Sequence, residues 1–112
     1  MANILIGTDL VYIPKVERLL GNAEATRKLF HPSELKGSVE HAAGVFAAKE
    51  ALFKALGKQP DWLAVEVITN KSGRPSLQLN ADVEKKGYKA TLSISHENEY
   101  ALAFVVLNKE NG

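Results

Sequence analysis

From Ser38 to Gly57 the chain runs without proline, with Gly44 as its interior breaker, and this stretch constrains the fold more than any other. Ser38 suits an N-cap and Gly57 a C′ residue, so the stretch predicts one helix of about 30 Å at 1.5 Å per residue. Its Ala and Leu content, with Phe46 and Phe53 two turns apart, argues for burial. Yet it carries Lys49, Glu50 and Lys54, and buried positions accept such charges when a partner, metal or ligand satisfies them. Ionic chemistry is expected along this helix.

Around it the pattern alternates between short helices and strands. Ile4 to Ile13 is β-branched and aliphatic, broken by Gly7 and Asp9 and stopped by Pro14, which predicts a first strand. Lys15 to Leu20 predicts a short helix closed by Gly21-Asn22, and a second small helix runs through Phe30. His31-Pro32-Ser33-Glu34-Leu35 reads as a helix start, with its acid in the first turn. After Pro60 the period changes to two: Leu63, Val65, Val67 and Thr69 predict a strand, Asn70-Lys71-Ser72-Gly73 a turn, and Pro75 to Leu79 the return arm. Ala81 to Gly87 reads as a short helix or loop and Ala90 to Ser95 as a strand. Glu97-Asn98-Glu99 then makes a reversal into Tyr100 to Leu107, apolar enough to require burial on both faces or at an interface. The order predicts an α+β fold, a mainly antiparallel sheet packed on one long helix.

At 112 residues and 46% hydrophobic, residues 1–112 predict a single domain with a modest core, and polar residues in the longest helix make association with copies of itself an expectation. The net charge is +1, with no block of one sign and no basic stripe interleaved with aromatics, so no nucleic-acid partner is expected. The absence of cysteine excludes disulfides, thiolate metal sites and cysteine nucleophiles, and fits a reducing cytoplasm. The opening Met1-Ala2-Asn3 lacks a signal-peptide pattern, and no apolar run approaches the ~20 residues that span a bilayer, so no membrane association is expected.

Four polar residues stand where local logic favours apolar ones: Asp9 in a strand, Glu50 and Lys54 on the long helix, and His96 at a strand end. Glu50 and Lys54, at i and i+4, project from one helix face. Asp9, on a strand packed against that helix, would share a divalent cation with Glu50, and two carboxylates with open positions for substrate oxygens suit Mg²⁺ held against a phosphate. Each residue also has a plainer reading. Asp9 would bond nearby backbone at a strand end. Glu50 and Lys54 would form a helix ion pair worth ~0.3–0.5 kcal/mol. Lys49 would snorkel at the surface, and His96 would be a hydrogen-bonded turn residue. His31 and His41 read as solvent-facing. Lys15 and Arg18 read as surface charges on the first short helix, with an acidic partner as the alternative.

Taken together, three blocks closely resemble the 4′-phosphopantetheinyl transferase superfamily, specifically its short holo-acyl-carrier-protein synthase type. They are Ile6-Gly7-Thr8-Asp9-Leu10-Val11, Phe46-Ala47-Ala48-Lys49-Glu50-Ala51-Leu52-Phe53-Lys54-Ala55-Leu56-Gly57, and Ser93-Ile94-Ser95-His96-Glu97-Asn98-Glu99-Tyr100-Ala101. Phe30, Glu34-Leu35 and Gly73-Arg74-Pro75 resemble its secondary landmarks. The resemblance implies that family's α+β fold, a homotrimer, and coenzyme A in clefts between subunits. It implies Mg²⁺-dependent transfer of 4′-phosphopantetheine from coenzyme A to a serine of an apo acyl carrier protein, with release of adenosine 3′,5′-bisphosphate. By motif position it makes Asp9 and Glu50 the metal ligands and, with Lys54, the catalytic set. Lys49, Lys54, Ser95 and His96 become coenzyme A-binding, and Lys15 and Arg18 face the carrier protein. Three positions depart from the family pattern: Val45 stands in place of an arginine, Lys58-Gln59 in place of a glycine turn, and Tyr12 in place of an acid. These departures motivate the alternative of a non-catalytic relative that binds coenzyme A or a carrier protein.

Overall fold

A computed structural model describes residues 3–109. The first strand, β1 (Asn3–Tyr12), leads directly into α1 (Ile13–Leu20) and then α2 (Ala23–Leu29). A 3₁₀ turn (Pro32–Leu35) precedes the long α3 (Val39–Leu56), and a second 3₁₀ turn (Trp62–Ala64) leads into β2 (Val65–Thr69) and β3 (Pro75–Leu79). The chain closes with α4 (Ala81–Glu84), β4 (Lys89–Glu97) and β5 (Tyr100–Lys109). Ile13, placed by its β-branching in the first strand, opens α1 instead, because Pro14 suits the first helical turn and has no amide for a ladder.

The expected long helix is bounded by the two residues that suit its ends. Ser38 Oγ accepts a hydrogen bond from the His41 amide at 3.1 Å. Gly57 sits at φ 71°, where its own amide reaches Lys54 O and the Lys58 amide reaches Phe53 O, closing the last turn. Smaller caps follow the same logic: Asn22 Oδ1 accepts from the Ala25 amide and Asn80 Oδ1 from the Val83 amide, each at 3.1 Å.

The strands are antiparallel, as expected, but they form two ladders rather than one: β1-β5-β4 and the β2-β3 hairpin. β3 lies beside β4 without a shared ladder. Helix α3 packs across the inner face of the larger sheet, and one core cluster gathers its alanines, Leu52 and Phe53 with Val11, Ala101, Ala103, Val105 and Leu107. β5 is not buried on both faces. Ala101, Ala103, Val105 and Leu107 turn inward, while Tyr100, Leu102 and Phe104 remain exposed on the outside beside Ile4, Ile6, Leu10 and Tyr12 of β1. Among the described residues no helix is long and apolar enough to cross a membrane.

Gly7 lets β1 and α3 approach closely. A Cβ on that residue would stand 2.0 Å from Ala51 O and 2.9 Å from Ala55 N, so α3 lies backbone to backbone on β1 there. Side chains alternate along a strand, so Asp9, two residues on, shares the inner face with Gly7. It therefore meets the helix beside Ala51 and Ala55, where Glu50 and Lys54 emerge.

Candidate active site

Asp9, Glu50 and Lys54 come together at this contact. Asp9 is 8% exposed, and its Oδ1 accepts from Lys54 Nζ at 2.9 Å. The same ammonium donates to Thr8 O at 3.2 Å. The ion pair is thus Lys54 with Asp9 across two elements, not the Glu50–Lys54 helix pair that spacing alone suggests. Asp9 is also not a strand-end residue capping its neighbours: it lies mid-strand, opposite Ala103.

The second oxygen of Asp9 decides what the site is fit for. Oδ2 is buried and has no hydrogen-bond partner. A buried carboxylate oxygen left unpaired costs free energy, so beside a second carboxylate it calls for a cationic or protic partner. Glu50 is half-buried nearby. Burial first, and then the charge of Asp9, push its carboxyl above the usual range, while Lys15 and Lys54 oppose the rise. Two oxygen donors that repel one another, one holding a spare lone pair, fit a hard divalent cation whose remaining positions are filled by water or phosphate oxygens. Among the described residues no group of three or more His, Cys, Asp or Glu side chains converges, so water or substrate oxygens would complete the coordination of a cation here.

Lys15 stands on α1 with its ammonium 5.7 Å from the Phe46 ring centre, near enough for its charge to be felt by Glu50. Arg18 is exposed one turn on, in the last turn of the same helix.

Lys49 does not belong to this group. Neither the snorkelling surface residue nor the coenzyme A contact survives, because its side chain is fully buried. Nζ donates to Glu34 Oε1 at 2.7 Å, Trp62 O at 2.9 Å and Leu29 O at 3.0 Å, which uses all three donors. Burial lowers its proton affinity and the Glu34 carboxylate opposes that effect. Glu34 is the residue that sequence reasoning passed over as a first-turn acid. Its carboxylate also accepts the His31 amide at 2.7 Å and the Val67 amide at 2.8 Å. The signal available was Lys49 itself, a charge inside an apolar helix that demands a buried counter-charge. His31, read as solvent-facing, places Nε2 at 3.1 Å from both Leu63 O and Val65 O.

Ser95 and His96 lie apart from the acids. Consecutive residues of β4 face opposite sides, and the register sets His96 against Ala101 and Ser95 against Leu102. His96 therefore shares the inner face with Asp9, across the intervening β5, while Ser95 faces outward with Leu10 and Leu102. A groove of about 590 Å³ wraps this sheet end, lined by Leu10, Ser95, His96, Asn98, Tyr100 and Leu102 among others. A smaller one, about 190 Å³, joins His96 to His41, Gly44, Val45, Gly73 and Pro75. Val45, the first departure, is buried in the core, and Tyr12 packs on Tyr100 with ring centres 5.5 Å apart. The Lys58 ammonium lies 5.8 Å from the Phe53 ring centre.

Comparison with known proteins agrees with this architecture. Residues 5–105 match the model of the 4'-phosphopantetheinyl transferase superfamily. The chain is 38% identical to a holo-[acyl-carrier-protein] synthase of Ehrlichia chaffeensis, covering 94% of this chain and 96% of that one. It is 36% identical to the enzyme of the same name from Geobacter sulfurreducens, over 92% and 95%. Among solved structures, the Bacillus anthracis holo-(acyl-carrier-protein) synthase in complex with CoA (3',5'-ADP) superposes with a TM-score of 0.82 at 32% identity, covering 98% of this chain and all of that one. A Chronobacterium ammoniagenes ACPS-CoA complex gives 0.81 at 32% identity, covering 97% and 99%. With fold, length and motif order in agreement, the chain belongs to the 4′-phosphopantetheinyl transferase superfamily, as a member of its holo-acyl-carrier-protein synthase type.

Proposed function

We propose that this chain, as one cytoplasmic domain assembled into a homotrimer, moves 4′-phosphopantetheine from coenzyme A to a serine hydroxyl of an apo acyl carrier protein, using Mg²⁺ held by Asp9 and Glu50. The observation that carries the metal assignment is the buried, unpartnered Oδ2 of Asp9, on a carboxylate close enough to Glu50 for its charge to push that carboxyl up.

In the reaction the serine oxygen bonds to the phosphorus that carries pantetheine, the bond from that phosphorus to the bridging diphosphate oxygen breaks, and adenosine 3′,5′-bisphosphate leaves with the charge. A divalent cation at the two acids would neutralise charge developing on the leaving oxygen. Lys54 holds Asp9 in place and, with its side chain 57% exposed, retains room to meet a phosphate oxygen. Glu50 is the carboxylate placed to receive the serine proton, directly or through a water. Lys15 and Arg18 offer positive charge on the outer side of α1, where an acidic carrier would dock. Ser95 and His96 line the groove assigned to the nucleotide end of coenzyme A. The uncovered apolar face of β1 and β5 supports the trimer, since a contiguous exposed patch of this kind marks an interaction surface.

The test is mass spectrometry of an apo acyl carrier protein incubated with the chain, coenzyme A and Mg²⁺. A phosphopantetheine mass increment on the carrier serine is expected. Coenzyme A binding without the increment would favour the non-catalytic alternative.

A further inference from the structure

Helix α3 is enclosed almost all round: from Ala42 to Phe53 every residue is buried except Glu50. Its own buried positions are rich in alanine, with Ala42, Ala43, Ala47, Ala48, Ala51 and Ala55 among them, and small apolar side chains give few directional contacts, so such packing holds the helix axis in place more firmly than it fixes rotation about that axis. Glu50 nevertheless has to face Asp9. Something directional must set the turn of the helix.

Lys54 supplies one tie, to Asp9 and Thr8 O, from a side chain more than half exposed; the buried tie is Lys49. Its three hydrogen bonds bind α3 to the end of α2 through Leu29 O, to the 3₁₀ turn through Glu34, and to the chain after α3 through Trp62 O. Glu34 passes the tie on to the His31 and Val67 amides, so the anchor reaches β2 as well. Consecutive helical residues are about 100° apart, so Lys49 and Glu50 point to different walls, and fixing one fixes the other. An apolar pair would fill the same space, and replacing a buried ion pair by apolar groups of similar volume is often neutral for stability. What would be lost is direction.

We propose that Lys49 and Glu34 form a rotational lock on α3 that aims Glu50 at Asp9, making both positioning residues for the divalent cation although neither touches it. The inference rests on the metal reading given above. Titration of the chain with Mn²⁺, followed by electron paramagnetic resonance, tests it in the absence of substrate. The double variant Glu34→Gln with Lys49→Met is expected to fold and to bind Mn²⁺ about tenfold or more weakly than the parent, the scale seen when groups that orient metal ligands are lost. Its lost turnover is expected to recover as Mg²⁺ is raised, which a merely loosened fold would not allow. Glu34→Asp keeps both charges and draws the carboxylate back by one methylene, so it supplies an arm that folds with the pair intact and is expected to weaken Mn²⁺ in the same direction. Either variant, folded and binding Mn²⁺ with parental affinity, overturns the lock while leaving the metal site standing. A parent chain that holds no Mn²⁺ overturns the metal site and the lock together.

Discussion

At the scale of single residues, the site is made by a mismatch of donors and acceptors. Asp9 has one oxygen satisfied by Lys54 and one left over. Asp9→Ala should abolish detectable cation binding and cut transfer at least about a hundredfold, the range seen when a preorganised charge-stabilising group is removed. Isothermal titration with Mg²⁺ and the carrier mass shift check the two halves separately. Glu50 yields a prediction with a definite sign. Its raised carboxyl binds a proton in the folded chain at a pH where the unfolded chain has released it, so its charged form opposes folding as pH rises above the ordinary value of 4.5. Without metal, Glu50→Gln should therefore melt above the parent at pH 8, and the gap should close toward pH 4. Adding Mg²⁺ should raise the parent's melting temperature more than the variant's. That Asp9, Glu50 and Lys54 come together was legible in the sequence, because polar residues at apolar positions stand out against periodicity. That Lys54 chooses Asp9 over Glu50, and that Lys49 turns inward to Glu34, was not, because both depend on which distant segment packs on which helix face.

At the scale of elements, the caps at Ser38 and Gly57 and the alternation in the hairpin were readable because they are local signals, set by backbone geometry within a few residues. The division into two ladders was not, since strand partnership across the sheet is a long-range choice. Two glycines separate the effects of contact and conformation. Gly7→Ala puts a methyl group into the backbone of α3, and with rigid neighbours on both sides the change should cost about 1–3 kcal/mol. It should also part Asp9 from the helix, so transfer should fall by more than the loss of folded chain explains. Gly57→Ala meets no atom within 4 Å but strains a left-handed residue, for about 1–2 kcal/mol. Its folded fraction should retain full activity. Chemical denaturation beside rate measurements distinguishes the two.

For the molecule as a whole, the exposed outer face accounts for a strand that looked too apolar for a surface. Tyr100 to Leu107 alternates as an ordinary half-buried strand, and its outward residues join those of β1 in one patch. Leu10→Glu, at a position 63% exposed in the single chain, should leave the fold intact while converting the proposed trimer to monomers with weakened coenzyme A binding. Sedimentation velocity and circular dichroism report on these outcomes independently. The seam between the two ladders has its own consequence. No backbone bond crosses from β3 to β4, and the hairpin is moored by its own helix-side ties, among them Val67 to Glu34 and Val65 to His31. The hairpin can therefore breathe as a unit without breaching the larger sheet, and in deuterated solvent its amides should exchange well before those of β1 and β5.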